Sequence, residues 1–137
     1  MRSLLIVASV AMCCVATTGC HTTTSTAGIE VSVPENGAMS VRVDDATFAR
    51  KFSVEGAETR RGDDGFIVAN VFVRNTKGDD AYMQYKFYFY DADGFAVQPA
   101  LRPWEQAVIH GGELYPISAT GPEPRVVKFV LRMRRSF

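Results

Sequence analysis

Cysteine is nearly absent from this chain of 137 residues: it has three cysteines, and none lies beyond residue 20. No disulfide can therefore brace the segment 29–137, whose core must be held by apolar packing. The same segment has a single histidine, His110, which excludes the cysteine and histidine sets that usually bind zinc. We expect no metal site and no cofactor.

Long hydrophobic runs are scarce as well, with one exception near the N-terminus. An apolar stretch from Leu4 to Ala16 follows the basic Arg2. A helix that spans a bilayer needs ~20 apolar residues, and this stretch has ~13, so the pattern favours a secretory signal over a permanent membrane span. We predict a signal peptide over residues 1–19.

The end of that run, Thr17-Thr18-Gly19-Cys20, resembles the lipobox of bacterial lipoproteins, with Thr17 in place of the usual leucine. We predict that Cys20 is acylated and becomes the N-terminus, and that residues 20–28 comprise this cysteine and a flexible tether. His21, next to Cys20, is not the Asp that resembles an inner-membrane retention signal. The expected location is the periplasmic face of the outer membrane, with the membrane bound through the lipid anchor.

Segment 29–137 is predicted to be one all-β domain, an immunoglobulin-like antiparallel β-sandwich of seven or eight short strands. Apolar and polar residues alternate most clearly over Phe66–Arg74, Tyr82–Tyr90 and Val126–Arg134. Each of these strands is predicted to have a core side, which in the first strand consists of Ile67, Ala69, Val71 and Val73. No stretch predicts a convincing helix. Weaker patterns predict further strands at 39–43, 47–54, 95–101, 104–110 and 113–119.

The stretch from Tyr85 to Gly94, Tyr-Lys-Phe-Tyr-Phe-Tyr-Asp-Ala-Asp-Gly, resembles the signature strand and turn of the YcfL-like family of small periplasmic lipoproteins. Asn75-Thr76, Trp104, Gly111-Gly112 and Pro122-Glu123-Pro124 are similar to other landmarks of that family, so the resemblance extends over about 39–137. It implies an anchored immunoglobulin-like domain. It implies no activity and no catalytic residues.

The aromatic strand has a second, amphipathic face, on which Lys86 lies among Tyr82, Tyr88 and Tyr90. Tyrosine rings offer large contact areas and a polar tip, so this face is a candidate surface for binding a sugar or a peptide. The alternative is that these rings form cross-strand pairs that only stabilise the sheet.

A cationic row is predicted near the C-terminus, because Lys128, Arg132 and Arg134 share one side of their strand. Since 15 basic residues balance 15 acidic ones overall, this is a segregation of charge within a neutral chain. Such a row is a candidate for binding peptidoglycan, lipid phosphates or an acidic envelope protein. Nucleic acid is not expected in this compartment. The alternative is an edge strand that uses charge to block aggregation.

These patterns favour a non-catalytic binding or scaffolding module of the cell envelope. We predict no catalytic residue, because most acids lie in turn clusters and no nucleophile motif is present. The alternatives are a hydrolase of an envelope polymer, with His110 and a nearby carboxylate as candidates, and a purely structural spacer.

Overall fold

In a computed structural model of the chain, residues 28–35 and 37–136 are described, and they form a β-sandwich. The predicted signal peptide, Cys20 and most of the predicted tether lie outside these residues. Eight strands are present in the described part: β1 Ile29–Pro34, β2 Ser40–Val43, β3 Phe52–Arg61, β4 Ile67–Asn75, β5 Ala81–Asp91, β6 Glu105–Ile109, β7 Leu114–Thr120 and β8 Val126–Arg135.

The strands form two antiparallel sheets. A five-stranded sheet has the order β2-β1-β8-β5-β6, and a three-stranded sheet has the order β3-β4-β7. The smaller sheet covers the middle of the larger one, because β3 packs against β1 and β4 against β8. The predicted all-β sandwich of seven or eight strands is confirmed.

The core lies between the sheets and follows the alternation of the strands. In β4, Ile67, Ala69, Val71 and Val73 are all buried, as predicted. Phe87 of β5 lies 5.9 Å from Phe89 and 5.8 Å from Phe129 of β8, between ring centroids. Full burial of such a side chain is worth about 1.5–3 kcal/mol, so packing alone can hold a domain that has no cysteine.

Gly28 shows where the packed domain begins. The residue is buried, and its carbonyl accepts hydrogen bonds from the amides of Asp44 and Asp45. A Cβ atom at this position would lie 1.8 Å from the carbonyl oxygen of Met133, so only glycine fits against β8. The last residue of the predicted tether is therefore already part of the domain.

The described helices are single turns. An α-helical turn, α1 Ala46–Ala49, begins at Asp45, whose Oδ1 accepts hydrogen bonds from the amides of Thr47 and Phe48 at 2.9 and 3.0 Å. A 3₁₀ turn follows later at Pro99–Leu101. In the described part of the chain, no helix has the length and apolar character that a membrane span needs.

Two weaker strand predictions were wrong, one of them only in part. The predicted strand at 47–54 begins instead as α1, because the Asp45 cap satisfies the first amides of a helical turn, and it is a strand only from Phe52 onward. The predicted strand at 95–101 is a loop: Gln98 has a left-handed backbone (φ 48°) and Pro99 has no amide to donate. Val97 is buried there, whereas Phe95 and Leu101 are each 72% exposed. Strand β1 was not predicted.

Candidate functional site

The predicted tyrosine row and the predicted cationic row lie on one surface. Strands β5 and β8 pair antiparallel, so Lys86 is opposite Arg132 and Tyr90 is opposite Lys128. Their outward side chains occupy the face of the five-stranded sheet that points away from the core, and we call this surface the β5–β8 face. The predicted residues on it are Tyr82, Lys86, Tyr88, Tyr90, Lys128, Arg132 and Arg134.

Each cation of the β5–β8 face lies over an aromatic ring. Lys86 Nζ is 5.0 Å from the ring centroid of Tyr88, and Arg132 Cζ is 5.2 Å from the same centroid. Lys128 Nζ is 5.7 Å from the centroid of Tyr90. These distances are within the range of cation–π attraction, so the rings hold the cations in place.

Trp104 extends the surface past the edge of β5. The guanidinium carbon of Arg134 lies 3.9 Å from the Trp104 ring centroid, and Arg134 Nε donates a hydrogen bond to Gln84 Oε1 at 3.0 Å. Trp104 was not predicted to belong to this surface, and neither Trp104 nor Gln84 was predicted to contact Arg134. Trp104 precedes β6 and Gln84 belongs to β5, so their place beside Arg134 follows from strand pairing far along the chain.

Glu30 brings a carboxylate to the face from β1. Its Oε2 accepts a hydrogen bond from Arg132 Nε at 2.8 Å, and the two residues are also partners in the β1–β8 register. The side chains of Arg132 and Glu30 are 32% and 22% exposed, so the ion pair is partly desolvated. Arg132 is therefore held by a ring and a carboxylate together.

Three outward residues of this face are substantially buried. Val130 points outward between Lys128 and Arg132, yet it is only 5% exposed. Tyr88 and Tyr90 are half-buried, and burial raises the pKa of Tyr90. The central part of this surface is thus a packed layer of aromatic rings and aliphatic groups, with the charged groups at its outer side.

Lys86 and Lys128 differ from the two arginines in their partners. Among residues 28–35 and 37–136, no carboxylate lies within ion-pair distance of either lysine nitrogen. Since both lysines rest on tyrosine rings, their charges are positioned without being neutralised. Because no described carboxylate of the face offsets their charge, these two lysines are the best candidates among its four cations for binding an anion.

The alternative explanation of the cationic row as an edge strand was wrong. β8 lies between β1 and β5, in the middle of the five-stranded sheet, so its charges protect no open edge. Tyr82 is on the same face but lies near the N-terminal end of β5, opposite Val108 of β6, and is 64% exposed. Within the described residues, no hydrogen bond or cation–π contact joins it to the other tyrosines or to the two lysines named above.

His110 does meet a carboxylate, as the hydrolase alternative requires. Its Nδ1 lies 3.0 Å from Asp80 Oδ1, and this hydrogen bond raises the pKa of His110. A carboxylate that orients a histidine is one part of a hydrolytic site. The imidazole side chain is 71% exposed, however, and the described residues place no serine or threonine hydroxyl against it.

No cluster of three or more potential metal ligands occurs in the described segments. The outer face of the smaller sheet has a shallow groove of about 610 Å³, lined by Glu58, Thr59, Arg60, Val68, Asn70 and Ser118. Among the described residues that line it, Glu58 has the only carboxylate, and the hydroxyl of Ser118 donates a hydrogen bond to Asn70 Oδ1 rather than to a base. The β5–β8 face therefore remains the candidate site.

Comparison with known proteins gives a family. A family model described as "Protein of unknown function (DUF1425)" matches residues 39–135, which is well over half of the chain. No curated protein is significantly similar to the chain.

Two solved structures are similar in fold. A DUF1425 family member from Shewanella sp. pv-4 superimposes with a TM-score of 0.57 at 25% sequence identity, covering 82% of this chain and 93% of that chain. Campylobacter jejuni Cj0090 superimposes with a TM-score of 0.55 at 21% identity, covering 61% of this chain and 85% of that chain. The second likeness shows the fold alone.

Proposed function

This chain belongs to the DUF1425 family of unknown function, and from that premise we propose that it is a non-catalytic binding module of the bacterial cell envelope. In this proposal acyl chains on Cys20 hold the domain at the periplasmic face of the outer membrane, and the β5–β8 face binds another envelope component. The observation that carries it is the meeting of two predicted rows, tyrosine and cationic, on one preorganised surface.

The anchor is supported by the sequence. The short apolar run ends in a lipobox-like Thr17-Thr18-Gly19-Cys20, and the chain resembles YcfL-like lipoproteins in its aromatic strand and turn. No cysteine follows residue 20, so an exported domain would carry no free thiol. Because acyl chains supply about 0.8 kcal/mol per buried CH₂, they can hold the protein on the bilayer without an apolar protein surface.

The anchor is tested by metabolic labelling with palmitate and by membrane fractionation. We expect the full chain to incorporate label and to sediment with outer membranes. A Cys20→Ser variant should incorporate none and, once exported and cleaved, should move to the soluble periplasmic fraction. Equal membrane attachment of that variant would contradict the proposal.

The binding role is tested by crosslinking in cells from a photoreactive residue at position 88. We expect discrete crosslinked species that disappear when Arg132→Glu and Arg134→Glu are combined. The matched control combines Arg50→Glu and Arg60→Glu, because both arginines are exposed, make no ion pair among the described residues and lie off this face. Identical patterns for the two double variants would remove the β5–β8 face as the binding surface.

A hydrolase of an envelope polymer is the alternative function, and the His110–Asp80 pair is the one observation in its favour. His110→Ala should abolish any turnover under that alternative. Under the binding proposal the same variant should leave the crosslinking pattern unchanged, so a single variant separates the two functions.

A further inference from the structure

The β5–β8 face has features that distinguish between classes of ligand. The faces of Tyr88, Tyr90 and Trp104 carry cations within 3.9–5.7 Å of the ring centroids. A platform that stacks neutral sugars needs open ring faces. Here the rings act as supports for charge, which indicates that the ligand is an anion.

The charge balance of the face agrees with an anionic ligand. The outward side chains of β1, β8 and β5 include four cations, Lys86, Lys128, Arg132 and Arg134, and one carboxylate, Glu30. Glu30 contacts Arg132, which leaves the two lysines without an acidic partner in the described part of the chain. Because their nitrogens are held over rings, an anion can meet both lysines with little loss of side-chain entropy.

The spacing of the cations favours an extended polypeptide. Lys128, Arg132 and Arg134 are separated by four and two strand positions, which correspond to ~13 and ~7 Å at ~3.3 Å per residue. Same-side side chains of another extended peptide repeat at the same ~7 Å. Sugar units do not share this strand repeat, and lipid headgroups have no fixed repeat.

We propose that the β5–β8 face binds an acidic polypeptide segment that lies extended along β5 and β8, with its carboxylates contacting Lys86 and Lys128. This inference rests on the proposed function, since it names the ligand class for the same face. Within the protein itself, Glu30 is an example of a carboxylate on an extended neighbouring strand of the same sheet that contacts a cation of β8.

The test measures binding to the full chain in nonionic detergent micelles. The probe is a ten-residue peptide of alternating Glu and Thr, and the comparison probes are a Gln-Thr peptide, polygalacturonate, chitohexaose and micelles doped with phosphatidylglycerol. We expect the Glu-Thr peptide to bind most tightly, with an affinity that falls as salt is raised.

The variants use all four lysines of the chain. Combining Lys86→Gln with Lys128→Gln should weaken Glu-Thr binding about tenfold, as expected for two lost charge-assisted contacts. Combining Lys51→Gln with Lys77→Gln removes the same net charge from exposed positions elsewhere and should change the affinity less than about twofold. Thermal unfolding of each variant establishes that it is folded.

Five outcomes would overturn the inference. Equal loss in the two lysine variants would show non-specific attraction, and tighter binding of polygalacturonate would indicate an anionic glycan. Tighter binding of phosphatidylglycerol would indicate a lipid surface, and chitohexaose binding that Tyr88→Leu abolishes would show a stacking platform. If no probe binds while the crosslinks at position 88 still depend on Arg132, the ligand class is wrong and the binding function stands.

Discussion

At each end of the β3–β4 hairpin, one polar side chain hydrogen-bonds to neighbouring turns or strands. One of these side chains is buried and the other is exposed to solvent. Asn75 ends β4 opposite Phe52, whereas Arg61 ends β3 opposite Ile67. Asn75 is fully buried, while the Arg61 side chain is 33% exposed. The two side chains form similar numbers of hydrogen bonds, Asn75 away from water and Arg61 in contact with it. Comparing them therefore shows whether stability depends on the number of hydrogen bonds or on their burial.

The buried end depends on an amide. Asn75 Nδ2 donates to the carbonyl oxygens of Asp79 and Ile109 at 2.7 and 2.9 Å, and its Oδ1 accepts from the amide of Lys77 at 2.9 Å. The turns it joins are in close contact, since a Cβ on Gly111 would lie 2.1 Å from the carbonyl oxygen of Gly78. Asparagine suits this place because it donates and accepts without charge.

The exposed end depends on a guanidinium. Arg61 donates to the carbonyl oxygens of Gly65, Pro124 and Val126 at 2.5, 2.8 and 2.9 Å, and its Nε donates to Glu35 at 2.9 Å. Water can reach these groups if the side chain is removed. The comparison therefore predicts that the buried amide contributes more to stability than the charged group, although the guanidinium makes four bonds and the amide three.

The largest expected effect is that of Asn75→Ala, which should lower the free energy of unfolding by about 3 kcal/mol because buried groups lose their partners. The control is Asn70→Ala on the same strand. Asn70 is only half-buried and bonds Ser118 Oγ at 2.9 Å, so its loss should cost less than about 1 kcal/mol. Chemical denaturation measures both, and equal losses would refute the role of burial.

A smaller effect is expected for Arg61→Gln, about 1 kcal/mol, because solvent replaces most of the lost contacts. Arg60→Gln is the matched control, since Arg60 is its exposed neighbour and makes no ion pair in the described residues; its cost should be under about 0.5 kcal/mol. The same denaturation experiment applies. An Arg61 variant less stable than the Asn75 variant would invert the comparison.

The sequence predicted the parts of this fold that local alternation specifies. Ile67, Ala69, Val71 and Val73 were assigned to the core face correctly, and Asn75 continues that series, so a polar residue at an inward position was a visible signal of a buried network. Arg61 gave no such signal, because its partners are backbone carbonyls that only the folded chain brings near.

Long-range pairing explains what the sequence could not predict. Strand β1 has only three inward apolar residues, and its partners are β2 and β8. For the candidate site, the alternation of side chains along each strand predicted the tyrosine row and the cationic row as two separate features. Their union on one face, with Trp104 and Glu30 added, depends on β8 pairing between β1 and β5, for which the local patterns carry no information.

The smallest expected effect lies at the solvent-exposed rim of the Asn75 end, where His110 and Asp80 follow two residues whose carbonyls Asn75 bonds. The hydrogen bond to Asp80 raises the pKa of His110, with a further contribution from Glu113. A raised pKa means that this stabilisation is fully present below the unfolded value of ~6.5 and is lost as the pH rises through the folded value.

The measurement is an NMR titration of the His110 ring in a His21→Gln background, which leaves one histidine signal. We expect a pKa above ~6.5 that falls in an Asp80→Asn variant, because the charged partner is removed. The variant should unfold at a slightly lower denaturant concentration at pH 5 and at the same concentration as the parent at pH 9. An unchanged His110 pKa would show that water screens the pair completely, so that even next to a buried network an exposed ion pair contributes nothing.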